Sequence, residues 1–219
     1  MRFEKKYKFN PFEDLALINC LKCYTFSEIY SERSVQSLYY DTNDFDLYHD
    51  SVNGIQNRIK IRARFYNRFN KKFNLEYKIK LSELGYKNFP NSDSINSGKK
   101  IPLEFSKYSD KKSELLLPSH IEKLYFPKIF INYDRKYFYS TRFNIRITID
   151  KNLKFSMAKI FGEKIKVFLT KPITYNVLEI KYDQKNFVDN TFTNIISNSV
   201  NLMLERSSKY CDAVESVYL

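Results

Sequence analysis

Residues 57–66 read NRIKIRARFY, with Arg58, Lys60, Arg62 and Arg64 at every second position and Ile59, Ile61, Ala63 and Phe65 between them. A period of two belongs to an extended chain, whose successive side chains point to opposite faces. It lines the cations up on one face of a strand at roughly 6.7 Å spacing. Two unit charges at that distance repel by about 0.6 kcal/mol in bulk water and by about 2.5 kcal/mol at an effective dielectric of about 20. A strand face left in water tolerates that cost. An enclosed face needs acidic neighbours or a bound polyanion.

The same parity recurs with acids included. Glu4 and Lys6 sit two apart; Glu76, Lys78 and Lys80 alternate with Leu75, Tyr77 and Ile79; Glu179 and Lys181 alternate with Leu178 and Ile180. Arg146, Thr148 and Asp150 alternate with Ile145, Ile147 and Ile149, and Tyr133 shares a face with Arg135. The unit E-x-K therefore occurs three times, as EKK, EYK and EIK. Solvated sheet faces explain one such strand well and this set poorly. A closed barrel has one face that helices can cover and another that encloses a lumen. With the charged face inward, the lumen is a cationic tunnel with a few carboxylates. Guanidinium and ammonium groups hold phosphate oxygens and Glu supplies hard oxygen ligands, so the tunnel suits an oligophosphate with a divalent cation.

Along the chain, RFEKKYKF reads as a strand and NPFEDLALINCL as a short helix with Asn10 as N-cap and Pro11 at the first helical position. SVQSLYYDT is a strand, NDFDLYHDSV a helix before Gly54, and KKFNLEYKIKL the antiparallel partner of the cationic strand. Residues 82–100 read as a long exposed loop, HIEKLYF as a short helix, and KIFINYDRKYFYS, FNIRITID and YNVLEIKYD as further strands. Asp150 is expected to cap a turn after its strand, residues 153–169 to be extended, and a last helix to run near Thr193 to Leu204. About eight strands and a few short helices, with no repeat and no linker, predict an α+β, mainly β chain. Its expected architecture is one domain over residues 1–219, a closed antiparallel eight-stranded barrel flanked by the helices.

Composition narrows the chemistry. The chain has 219 residues, a net charge of +12 and abundant Phe and Tyr, which points to an anionic partner. The four glycines lie far apart, which excludes a Walker loop, a dinucleotide fingerprint and a kinase glycine loop. Phosphate must then be held by side chains. Two distant histidines argue against a hydrolytic triad, and Cys20-x-x-Cys23 lacks further ligands at zinc spacing, so both thiols are expected to pack in the interior. No apolar run of membrane-spanning length or signal peptide is present, which predicts a cytoplasmic protein without a transmembrane segment.

The segments FEKKY, EIYSERSVQSLYYDT, IRARFY, LEYK, YDRKYF, IRITID, LEIKY and SKYC occur in an order that resembles the triphosphate tunnel metalloenzymes. Within them the chain is most similar to the catalytic domain of the vacuolar transporter chaperone (VTC) family and its stand-alone bacterial relatives. The resemblance implies a tunnel that binds ATP and grows polyphosphate from its terminal phosphate with Mn2+ or Mg2+. It implies phosphate contacts and catalytic roles for Arg62, Arg64, Arg135, Arg146, Lys181 and Lys209, with Lys6, Lys78, Tyr133, Ser208 and Lys60 as further phosphate ligands. Arg58 and Lys60 have weaker counterparts and are placed toward a tunnel mouth. Glu179 is implied as the principal metal ligand, with Glu4 and Glu76 completing the acidic set and holding the lysines.

The wider superfamily's triphosphatases and class IV adenylyl cyclases carry E-x-E-x-K near the N-terminus, where this chain has Arg2 in place of the first Glu. That departure favours the polymerase branch over the hydrolase branch. The regulatory domain and membrane helices of the eukaryotic proteins have no counterpart here, so coupling to transport would come from a membrane or regulatory protein partner. Two alternatives stand beside a polymerase: a tripolyphosphatase or nucleoside triphosphatase on the same fold, and a non-catalytic module binding polyphosphate or nucleic acid. Nucleic acid is not expected, because the aromatics alternate as core residues and no recognition helix or stacking motif appears.

Overall fold

A computed structural model describes residues 2–66, 74–81, 84–88, 103–104, 123–162, 164–183, 196, 198–206 and 208–219. The strands are β1 (Arg2–Phe9), β2 (Ser27–Asp41), β3 (Arg58–Tyr66), β4 (Asn74–Leu81), β5 (Leu84–Asn88), β6 (Leu103–Glu104), β7 (Leu124–Ser140), β8 (Ile145–Phe161), β9 (Lys164–Pro172), β10 (Asn176–Asp183) and β11 (Met203–Leu204). The helices are α1 (Asp14–Cys23), α2 (Asp46–Val52) and α3 (Lys209–Tyr218). Strand pairing follows the order β11-β1-β10-β8-β7-β2-β3-β4-β5, with β6 on β7 and β9 on β8. The mainly β, antiparallel character is as expected. The eight-stranded closed ring is not what is seen: the described residues form eleven strands whose order does not return on itself.

The chain divides into two compact units, the first comprising Met1–Ser34, Tyr133–Leu153 and Pro172–Arg206 and the second Val35–Asn132, Lys154–Lys171 and Ser207–Leu219. In the first unit, β1 pairs with β10 and β10 with β8. The odd-numbered residues of β1 and β8 and the even-numbered ones of β10 bury Tyr7, Phe9, Ile145, Ile147, Ile149, Leu178 and Ile180 in one apolar cluster with Leu17 and Leu21 of α1. The entry to α1 forms as the sequence predicts. Asn10 and Glu13 make a reciprocal capping box around a 3-10 turn beginning at Pro11, which satisfies backbone donors that a helix start leaves open. In the second unit β2, β3, β4 and β5 are consecutive neighbours. Their apolar face, including Leu38, Ile59, Ile61, Ala63, Leu75, Tyr77 and Ile79, packs with Leu47 of α2.

Four local expectations need correction. Leu124–Phe126 of HIEKLYF begins β7 rather than forming a helix, because Tyr125 pairs with Leu103 across the chain; residues 120–122 lie outside the described residues. Within the predicted helix near Thr193 to Leu204, Ile196, Asn198 and Ser199 are helical, but the segment ends as β11, with Leu204 opposite Tyr7 of β1; residues 193–195 and 197 lie outside the described residues. The expected loop 82–100 contains strand β5, and residues 89–100 lie outside the described ones. Asp150 does not cap a turn: β8 continues through it to Phe161, and Asn152, at φ 53°, takes the left-handed conformation that Asn tolerates better than most residues.

Candidate functional site

In the first unit the antiparallel register of β1 and β10 sets Glu4 opposite Lys181 and Lys6 opposite Glu179. Two E-x-K units running in opposite directions thus make a checkerboard, with opposite charges adjacent both along and across the strands. Lys6 lies 3.1 Å from Glu4, Lys181 lies 3.0 Å from Glu179 and 3.7 Å from Glu4, so Lys181 links the two carboxylates. On β8, Thr148 stands opposite Glu179 and Arg146 opposite Lys181, which puts them on the same face.

Arg135 of β7 reaches this face and is tightly held. Its Nε and Nη2 donate to the two oxygens of Asp150 at 2.5 and 2.6 Å, and Nη2 lies 3.7 Å from Glu179. Asp150 is fully buried and Arg135 is 9% exposed. Burial works against the arginine's charge, yet Asp150, Tyr133 and Glu179 together raise its pKa well above the ordinary value. The Tyr133 ring lies under its guanidinium, at 5.2 Å. Arg146 contrasts with it. Its buried Nε has no hydrogen-bond partner among the described residues, and neither has Thr148 Oγ1. Its guanidinium covers the ring of Tyr137 at 5.7 Å. Two unsatisfied donors on one buried face beside Glu179 are what an anionic ligand would complete.

In the second unit the opening ladder of β3 alternates as predicted, with Ile59, Ile61 and Ala63 buried and Arg58, Lys60 and Arg62 half-buried. Arg62 Nε donates to Glu76 Oε2 at 2.6 Å, and Nη1 donates to the Tyr39 hydroxyl at 2.9 Å. Arg64 Nη1 lies 3.8 Å from the same Glu76 oxygen, and its Nε donates to Ser37 at 3.3 Å. Glu76 is 1% exposed. It therefore anchors arginines in this structure, where a lysine partner was expected. Farther along, Lys60 stands opposite Lys78 and Arg58 opposite Lys80 in the register, so the ladder loses its acidic cross-strand partner past Arg62. Lys78 is exposed. Arg58 donates to the Ile55 carbonyl at 2.7 Å.

Lys60 Nζ donates to Ser208 Oγ at 2.7 Å, and Ser208 caps α3 by accepting from the Cys211 N–H. Lys209 is the first residue of α3, at the positive end of its dipole. Tyr39 stacks on Tyr210 with ring centroids 5.2 Å apart. Burial pushes the Tyr39 pKa up, but Arg62, Arg64 and Lys209 overcome it and bring it down to about 8. Beneath this pair Asp41, fully buried, accepts from the N–H groups of Thr42, Leu47 and Tyr48 and from the Tyr210 hydroxyl. It ties the end of β2 to α2 and α3.

The structure thus brings Glu4, Lys6, Tyr133, Arg135, Arg146, Glu179 and Lys181 onto the strands of one unit, and Lys60, Arg62, Arg64, Glu76 and Lys78 onto strands of the other, where Ser208 and Lys209 begin α3. Sequence reading missed Tyr39 and Asp41, placed Thr148 on the polar face without giving it a role, and misread Asp150. Tyr39 and Asp41 share parity with Ser37 opposite the arginines, a signal that was present in SLYYDT. Of the cysteines, Cys20 is half-buried but Cys23 is exposed, contrary to the expected burial of both, and both are free thiols. Among the described residues no group of three or more His, Cys, Asp or Glu side chains forms a candidate metal cage. The donors that fit a divalent cation are the carboxylates of Glu179 and Glu4, joined through Lys181. Mg2+ commonly uses one or two carboxylates and completes its shell with substrate phosphates. No helix among the described residues is long and apolar enough to cross a membrane.

The family model of the VTC domain matches residues 2–218, and the chain belongs to that family. No curated protein matches it significantly. Among solved structures it is similar to a Hippeastrum protein named as an adenylyl cyclase and reported to have a dominant triphosphatase activity, at 15% identity and a TM-score of 0.60, covering 100% of this chain and 98% of that one. Proteins named as adenylate cyclases from Vibrio parahaemolyticus and Bacillus halodurans match at 12% identity and TM-scores of 0.48, the former covering 97% of this chain and 98% of its own, the latter 96% and 97%. The Hippeastrum likeness establishes a shared fold.

Proposed function

We propose that this protein is a metal-dependent polyphosphate polymerase, transferring the terminal phosphate of ATP to the end of a growing polyphosphate chain on the tunnel barrel of its family. The observation that carries the reading is the cationic strand face on which Arg146 Nε and Thr148 Oγ1 lack partners beside Glu179, in a chain that the VTC model spans from residue 2 to 218. Phosphoryl transfer passes through a loose, in-line transition state, so catalysis is mostly positioning and charge stabilisation. Fixed arginines supply both. In the first unit Arg135 is oriented by Asp150 and Arg146 offers donors to phosphate oxygens; in the second, taken by itself, Arg62 is oriented by Glu76. The acceptor, a phosphate terminus, is already anionic at neutral pH and needs no strong base. Glu179, with Glu4, would hold Mn2+ or Mg2+, which supplies charge neutralisation across phosphate oxygens.

Incubating the purified protein with ATP and Mn2+ is expected to yield long polyphosphate and ADP. Orthophosphate as the sole phosphate product would instead establish the triphosphatase reading, which the fold shared with the Hippeastrum protein favours and Arg2, standing where hydrolases carry Glu, disfavours. A purely binding module would show no metal-dependent turnover for Glu179→Ala to remove. Cytoplasmic placement and a membrane or regulatory partner remain part of the proposal, tested by fractionating cells that express the tagged chain.

A further inference from the structure

We propose that Tyr30 and Arg33, on the N-terminal half of β2, form a stacking platform for the base of a nucleoside triphosphate. The inference rests on the reading above, in that it takes the triphosphate to be held at Arg146. Tyr30 is 48% exposed, on a stretch of β2 exposed from Ser27 to Glu32. Its ring meets the buried ring of Tyr137 edge-on, at 5.6 Å and 89°. The Arg33 guanidinium lies 4.9 Å from the Tyr30 centroid and 5.9 Å from that of Tyr137, and Arg146 lies 5.7 Å from the same Tyr137 ring. Tyr137 therefore joins the phosphate-facing Arg146 to the exposed Tyr30 and the half-buried Arg33.

The charge pattern separates this pair from a structural ion pair. Arg33 makes no hydrogen bond or ion pair among the described residues, and the adjacent Glu32 faces Lys136 and Lys151, at 3.9 and 3.6 Å. A guanidinium laid on aromatic rings without a carboxylate partner presents a planar cationic surface, and an exposed tyrosine presents a second planar one. Inorganic oligophosphate has no use for an aromatic plane; a nucleobase does, because bases stack on tyrosine rings and on guanidinium planes. Stacking engages the π-face that every base has and does not read base edges, so the platform accepts adenine and guanine alike.

Titration calorimetry with a non-hydrolysable ATP analogue and with imidotriphosphate, both with Mg2+, tests this. Tyr30→Ala is expected to weaken the ATP analogue about 5- to 150-fold, the range for loss of one stacked base, and to leave imidotriphosphate within about twofold. Tyr30→Phe should retain the wild-type ATP affinity, and the GTP analogue should bind like the ATP analogue. Equal weakening of both ligands by Tyr30→Ala, or of neither, overturns the platform while leaving triphosphate binding intact. Wild-type protein that binds neither ligand overturns the function proposed above as well.

Discussion

Arg135 and Arg146 carry their charges in opposite ways, and their alanine variants should fail differently. Arg135 is closed into Asp150, so Arg135→Ala strands a fully buried carboxylate and is expected to cost about 3–5 kcal/mol of stability, read as a lowered urea midpoint. Arg146→Ala removes only the Tyr137 contact, about 1 kcal/mol, yet should weaken triphosphate binding roughly 10-fold or more, the worth of one charge-assisted hydrogen bond. Thr148→Val separates stability from function further. Replacing an unsatisfied buried hydroxyl by a methyl should hold or raise the melting temperature while lowering affinity for triphosphate. At Tyr39, a folded pKa of about 8 lies below the ordinary 10, so the anionic form is favoured by folding. That contribution is complete above pH 10 and is lost as pH falls through about 8. Stability of the wild type relative to Tyr39→Phe should therefore rise between those pH values, by on the order of 2 kcal/mol, measured by denaturation at each pH. Parity alone made the cations legible, because charge alternation is written locally. Asp150 was misread because its partner Arg135 lies on another strand, and only the pairing shows that a carboxylate at a strand's polar position is a clamp.

At the level of elements, E-x-K explains itself once β1 and β10 are antiparallel, since a motif of alternating sign pairs with its own reverse at every position. Moving either strand by one residue would turn the lysines and glutamates onto the apolar face, so charge and core fix the same register. The capped start of α1 and the run of β3 were readable for the same local reasons. HIEKLYF and the segment ending at Leu204 were not, because each is short and its extended state is decided by a distant partner, Leu103 in one case and Tyr7 in the other. Helix α3 yields a test at this scale. Ser208 both caps it and receives Lys60, so Ser208→Ala should cost about 0.5–2 kcal/mol and Ser208→Asp, which restores a cap and adds a charge for Lys60, should recover stability.

For the whole molecule, a net charge of +12 predicts polyanion binding that weakens steeply with salt, and stabilisation by triphosphate of about 2.7 kcal/mol at a hundredfold excess over its Kd, read as a rise in melting temperature. The mainly β class was legible in the strand periodicity. The division into two units was not, because β2, β7 and β8 run through both without a Gly- or Pro-rich linker to mark the boundary. That interleaving governs how the chain can acquire its fold as it is made. Neither unit is a contiguous stretch: the first needs residues beyond Pro172 and the second needs Ser207–Leu219. Asp41 is synthesised early, yet the tyrosine hydroxyl that completes its hydrogen bonds lies 169 residues later. A nascent chain that has not yet exposed Tyr210 therefore holds β2 with its buried carboxylate short of a donor, and consolidation awaits the emergence of α3. Chains truncated before Tyr210 are expected to remain protease-sensitive throughout the second unit, whereas chains that include α3 become resistant.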